Sequence, residues 1–264
     1  MIAFLRKRFC RMMREKSSEN MKSIMYIAIG AFCFGMLTFS KLSAQRVEDQ
    51  QWFSATISQD VRKFRWSLEQ NVRMRYGFTI TDNYFTAFGL RRKLNKRLVI
   101  SANYRLGWKN PGINPAVYHR FNLDARLRKR WKKKDLELTW RPRIQVKFRP
   151  DKREVDRTWY IRNKLTLSRK LNKKMDLWGA AEIYTQLNEA YQGLNNDEWR
   201  AYLGLDIDVG KRKQLSLYYL YSKEFNQTAP FQTHVLGLNF AYRLKKMKKW
   251  KKSRKKKSKN IILD

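Results

Sequence analysis

The sequence predicts an all-β chain: an up-and-down antiparallel transmembrane β-barrel of about 10–12 strands behind an N-terminal signal peptide. Three observations carry this. Segment after segment alternates apolar and polar residues with period two, and the connections between segments are alternately short and long. Several segments also run to ~10–15 residues, where 9–11 suffice to cross a bilayer obliquely and a soluble strand averages nearer 5–6.

Residues 1–20 are basic and irregular, and Met21-Lys22-Ser23 then opens an apolar run from Ile24 to Phe39. A positive start, a short apolar core and the small residues Ser43-Ala44 read as a secretory signal peptide cleaved after Ala44, with Met21 the expected initiator. Both cysteines, Cys10 and Cys33, precede that point, so the exported chain would carry neither a disulfide nor a thiolate. The domain plan is therefore 1–44 upstream segment and signal peptide, 45–244 barrel, and 245–264 basic disordered tail.

Composition narrows the class further. With 43% hydrophobic and 14% aromatic residues, the 264-residue chain is too apolar to be intrinsically disordered. The net charge of +37 alone would suggest nucleic acid or an anionic surface. Residues 1–44 hold 8 Lys+Arg and 2 Asp+Glu, so the exported part keeps 37 − 6 = +31. An exported protein does not meet chromosomal DNA, and no nucleic-acid partner is expected.

Phe53, Ala55 and Ile57 mark a short first strand. The second is the clearest: Phe64, Trp66, Leu68, Val72, Met74 and Tyr76 alternate with Arg65, Ser67, Glu69, Asn71, Arg73 and Arg75. A helix with this pattern would scatter its arginines around the whole surface, whereas a strand sorts them onto one face. Tyr84 to Leu90 make the third strand and Leu98 to Trp108 the fourth. Phe121 to Leu127 make the fifth and Leu136 to Phe148 the sixth, where Pro142 lacks a ladder donor and predicts a bulge. Strands follow around 159–167, 175–183, 199–209, 215–221 and 236–244. That makes eleven, against the even number usual for bacterial single-chain barrels. Ten or twelve wall strands are therefore expected, with residues 45–58 either crossing the lumen or rim or having a further partner. An even count would also put both chain ends on the periplasmic side, with the longer loops outside.

Eleven strands with several large apolar residues each hold more oily volume than a closed interior can accept, so the apolar register should face lipid. Leu138, Ile207 and Leu238 are expected lipid contacts. Aromatics flanking the long loops (Tyr76 and Tyr84, Trp108 and Tyr118, Phe148 and Trp159, Tyr184 and Trp199, Tyr221 and Phe231) suggest a girdle at the membrane boundary, although Tyr118, Tyr184 and Phe231 fall off the oily register. The early Trp52-Phe53 strand, the repeated basic alternating strands and the closing stretch from Leu236 to Tyr242 resemble the bacterial outer-membrane family called domain of unknown function 2490. The resemblance implies the fold and brings no activity, cofactor or site residue with it.

The inner face carries the one non-generic feature. Arg65, Arg73 and Arg75 in the second strand, Arg105 in the fourth, Arg126 and Arg128 in the fifth, Arg141, Arg143 and Lys147 in the sixth, and Arg162 and Lys164 in the seventh all take the polar register. Glu69, Asp124, Glu137, Glu182, Asp206 and Asp208 are fewer, and the last two are expected to pair with lumen arginines. Either ion pairs plug the lumen and hold the barrel together, or a cationic interior binds or passes small anions. No cofactor or metal is implied: the acids and the two histidines, His119 and His234, show no ligand spacing. No spacing pairs Ser168 or Ser222 with a base, so no catalytic residue is assigned. The expected partners are outer-membrane lipid and small anions. A lipid-modifying outer-membrane enzyme and a soluble periplasmic barrel binding an anionic ligand remain the alternatives.

Overall fold

The computed structural model describes residues 46–110, 115–150, 156–189, 193–226 and 230–246. The signal-peptide reading of 1–44 and nearly all of the basic tail lie outside the described residues. The strands are β1 (Arg46–Val61), β2 (Phe64–Arg75), β3 (Ile80–Lys93), β4 (Leu98–Lys109), β5 (Ala116–Trp131), β6 (Leu136–Arg149), β7 (Asp156–Lys170), β8 (Met175–Glu189), β9 (Gly193–Gly210), β10 (Lys213–Glu224) and β11 (Phe231–Arg243). Each pairs with its sequence neighbours, and β1 closes the ring against β11.

Two expectations about the wall are corrected. The count is odd, because β1 is a full wall strand running 16 residues. It pairs antiparallel with β2 from Gln50–Arg75 to Val61–Phe64, and parallel with β11 from Arg46–Phe231 to Ser58–Arg243. A parallel ladder is somewhat weaker per residue, but it leaves no open edge. An odd number also sends the two ends of the wall to opposite rims. Arg46 starts at the rim of the longer connections, whereas Arg243 leaves at the rim of the short turns.

Pro142 makes no bulge either. Its pairing with Asn163 on β7 is regular, and on the β5 side Asp124–Arg143 and Leu127–Trp140 keep one register across the gap. A missing donor at one residue interrupts two pairings without adding a residue to the strand. Register shifts occur instead near strand ends, between Arg73 and Met74, between Tyr184 and Thr185, and between Lys213 and Gln214.

The apolar register faces out, as its volume requires. Leu236 is 64% exposed, Leu123 58% and Ile144 50%, values that a packed core would not tolerate. Leu138, Ile207 and Leu238 share this face, opposite Leu167, Leu215 and Leu217. The outer aromatic girdle exists in part: Tyr84 meets Trp108 with ring centroids 5.8 Å apart, and Trp199 meets Tyr221 at 5.3 Å. Tyr118 and Tyr184 do not belong to it. They point inward and are buried, as the alternation placed them.

Candidate functional site: the cationic lumen

Strand alternation delivers every basic residue singled out above to the inner face, and the register decides which of them meet an acid. At the short-turn rim, Arg65 donates to Asp60 at 2.6 and 3.1 Å, and Arg128 lies 3.8 Å from Glu137. Arg126 lines a cavity of about 490 Å3 at the same rim, together with Arg91. At the opposite rim, Arg75 reaches Glu48 at 3.0 Å and Asp82 at 3.3 Å. A cavity of about 500 Å3 opens there, bounded by Glu48, Asp82, Ser222 and Glu224 among others.

The middle of the lumen is divided. Across β6 to β9 the arginines are neutralised. Arg143 makes a two-pronged contact to Asp124 at 2.6 and 2.8 Å. Glu182, almost wholly buried, accepts from Arg162 at 2.9 and 3.2 Å, from Arg141 at 3.2 Å and from Tyr202 at 2.8 Å. Arg162 also donates to Gln145 at 3.0 Å, and Arg200 holds Glu198 at 2.7 and 3.1 Å. Glu198 accepts in addition from the Ser222 hydroxyl. A buried carboxylate with this many donors has its lone pairs satisfied, which is the condition for burying charge at tolerable cost.

Across β1 to β5 the cations lie on rings instead. The Arg73 guanidinium sits 3.6 Å from the Trp52 ring centre, and that of Arg105 sits 3.5 Å from Phe85. Arg120 is 5.6 Å from Tyr118. Lys164, on the other wall, lies 3.5 Å from Tyr202, and Lys147 is 5.2 Å from Tyr118. Face-on contact of this kind contributes ~0.5–2 kcal/mol each. The central cavity, about 350 Å3, is lined by both halves.

The eleven basic residues therefore all line the lumen, but they divide among two rims and a centre. Three further arginines belong with them. Arg91, Arg120 and Arg200 follow or precede an apolar residue on the polar register, so alternation was sufficient to find them. The inward aromatics were harder to foresee, because Trp52, Phe85, Tyr118, Tyr184 and Tyr202 look like membrane residues until their parity is counted. Asp206 accepts from a donor other than the expected arginine: the Trp178 indole N–H, at 3.0 Å. Both histidines sit on the outer face, His119 against the Tyr104 hydroxyl at 2.8 Å and His234 against that of Tyr219. Among the described residues, no group of three metal-ligating side chains comes together.

A closed barrel with an apolar exterior and a cationic, partly ion-paired interior is the class that fold and lumen define. The chain belongs to the family described as "Protein of unknown function (DUF2490)", whose model matches residues 49–233. Among curated proteins, none matches the sequence. Several solved structures share part of the course of the chain, three of them as follows. A bacterial polysaccharide outer membrane secretin is 12% identical over 67% of this chain and 63% of its own, with a TM-score of 0.46. This chain thus spans less than two thirds of the secretin. The translocator domain of autotransporter NalP from Neisseria meningitidis is 12% identical over 65% and 71%, at 0.43. The β domain of the Bordetella autotransporter Brka is 11% identical over 67% and 82%, also at 0.43.

Proposed function

We propose that this protein is a non-enzymatic barrel of the bacterial outer membrane that lets small anions into and through a cationic lumen. The exterior supports the membrane. Leucines, isoleucines and aromatics cover it around the ring, and a shallow groove of about 400 Å3 among Phe88, Leu90, Phe121 and Ile144 is lined almost wholly by apolar atoms. A belt around the whole ring exceeds the few hundred Å2 of contiguous apolar surface that soluble proteins leave in water. The observation that carries the lumen reading is that its arginines outnumber their acids. Among the described residues, Arg73, Arg91, Arg105, Arg120 and Arg126 form no ion pair, so the interior keeps a positive field where charge is least screened. Both histidines face outward, whereas Ser168 and Ser222 take the inner register, so among the described residues no serine–histidine pair forms in the lumen.

The test is the reversal potential of the purified barrel in a planar bilayer under a potassium chloride gradient. Anion preference is expected, and it should fall in Arg91→Gln/Arg126→Gln, which neutralises the short-turn mouth. Cation preference, or no conductance, would contradict the reading.

A further inference from the structure

The lumen does not treat its cations alike, and the exception points to a ligand. Arg105 on β4 and Arg120 on β5 stand directly opposite one another, and Lys147 on β6 stands opposite Arg120. All three face inward. Like charges in directly opposed positions are destabilising. Some cations of the lumen stand opposite an acid instead: Asp124 is opposite Arg143, and Glu182 is opposite Lys164. Arg143 faces Arg162, Arg141 faces Lys164 and Arg65 faces Arg91. In each of these pairs at least one member holds a carboxylate, which neither Arg105 nor Arg120 does among the described residues.

Arg73, from β2, turns toward the same place, lying 5.4 Å from the Phe85 ring that Arg105 covers. The Nε atoms of Arg73, Arg105 and Arg120 are buried without a hydrogen-bond partner. Arg73 and Arg105 are ordered by stacking, at 3.6 Å from Trp52 and 3.5 Å from Phe85. A guanidinium lying on a ring face is held in position, while its terminal N–H donors point sideways in its own plane. Of the carboxylates at this cavity, Glu182 and Glu198 are taken by Arg162 and Arg200. Neither Glu69 nor Asp197, among the described residues, forms an ion pair with the three. The central cavity shares Trp52, Arg73 and Arg200 as lining with the cavity at the rim of the longer connections, the side from which a solute would enter.

We infer that Arg73, Arg105 and Arg120 form a binding site for a doubly charged oxyanion of the phosphate class, carried by a small water-soluble molecule. Such a group offers several acceptor oxygens to converging guanidinium forks and enough charge to offset the opposed pair. The site deepens the anion-admitting reading and rests on it for entry from the rim.

Calorimetric titration of the full chain in detergent tests this, with inorganic phosphate and glycerol 1-phosphate as probes and chloride for comparison. One-to-one binding of both phosphates is expected. It should weaken by about tenfold in Arg105→Gln and in Arg120→Gln, as loss of a charge-assisted contact implies. Arg65→Gln, at the far rim and already paired with Asp60, should bind as the native protein does. Without ligand, Arg120→Gln should melt no lower than the native barrel, since it relieves an opposed pair. No binding by the native protein, native-like binding by Arg105→Gln and Arg120→Gln, or a lower melting temperature for unliganded Arg120→Gln would each overturn the site. Displacement of phosphate by phosphatidic acid in the micelle would also overturn it, since a lipid cannot take the luminal route. Anion-selective conductance without phosphate binding would remove this site and leave the proposed function standing.

Discussion

At the scale of single residues, what distinguishes this lumen is the inequality among its ion pairs. Glu182 is the hub of the neutralised half: its side chain is 1% exposed, and that of Arg162 is 8% exposed. Glu182→Gln keeps the shape but strands Arg162 and Arg141 in a buried setting. A loss of ~3–5 kcal/mol is expected, the usual consequence of removing one partner of a buried pair. Arg65→Gln, by contrast, breaks a pair whose side chains are 28% and 33% exposed, and should change stability by only ~0–1 kcal/mol. Urea unfolding followed by tryptophan fluorescence separates the two, and equal losses would contradict the division of the lumen. This division was not legible in the sequence. Alternation places Arg105, Arg143 and Arg162 on the same face without distinguishing them. Only the register between strands, set by turn lengths and the closing ladder, decides that Arg143 meets Asp124 while Arg105 meets Arg120.

At the scale of elements, inward aromatics are seated on glycines of neighbouring strands. Tyr118 lies over Gly107, its register partner on β4, and Tyr218 lies over Gly237 on β11. Gly204 on β9 lies beneath the Trp178 ring and beside the Tyr218 Cβ, from its two neighbouring strands. A methyl group at Gly204 would overlap Trp178 with Tyr218 close behind, so Gly204→Ala should cost ~1–3 kcal/mol, typical of overpacking. Gly179→Ala is the internal comparison. There the nearest atom, the Tyr202 carbonyl oxygen, is 3.6 Å away, and the change should be neutral or add ~0.4–1 kcal/mol through the unfolded chain. Thermal unfolding of the two variants reads the difference, and the reverse order would contradict this packing. The strands themselves are plain in the sequence because residues such as Phe64 to Tyr76 alternate over a long run. Two features of elements are not. Pro142 reads as a bulge because its lost donor is visible, whereas the absence of any inserted residue is a property of the pairing. The first strand reads as short because Asp49, Gln51 and Gln59 interrupt the apolar register between Val47 and Val61, while Glu48, Gln50 and Trp52 complete it from the luminal side.

At the scale of the whole molecule, two opposite solvents are sorted by parity. Leu238 and Asn239 are adjacent on β11, but Leu238 stands opposite Leu217 outside, and Asn239 stands opposite Ser54 and Ser216 inside. Leu238→Arg would place a charge in the apolar belt and should cost ~2–4 kcal/mol if the site lies near the bilayer midplane. Asn239→Arg, pointing into a polar layer, should be mild. Folding into lipid vesicles, scored by gel mobility, distinguishes them, and equal penalties would mean that the faces are reversed.

The odd strand number follows from β1 closing on β11 in parallel, and the preference for an even count could not foresee it. The proposed function depends most on this ring of eleven strands sitting in a membrane with its apolar register outward. Alkaline carbonate extraction of cell envelopes, with the pellet run on a gel with and without heating, tests it most directly. The protein should stay in the membrane pellet and migrate faster unheated, as a closed barrel that resists detergent. Release into the soluble fraction with the same mobility in both lanes would contradict it.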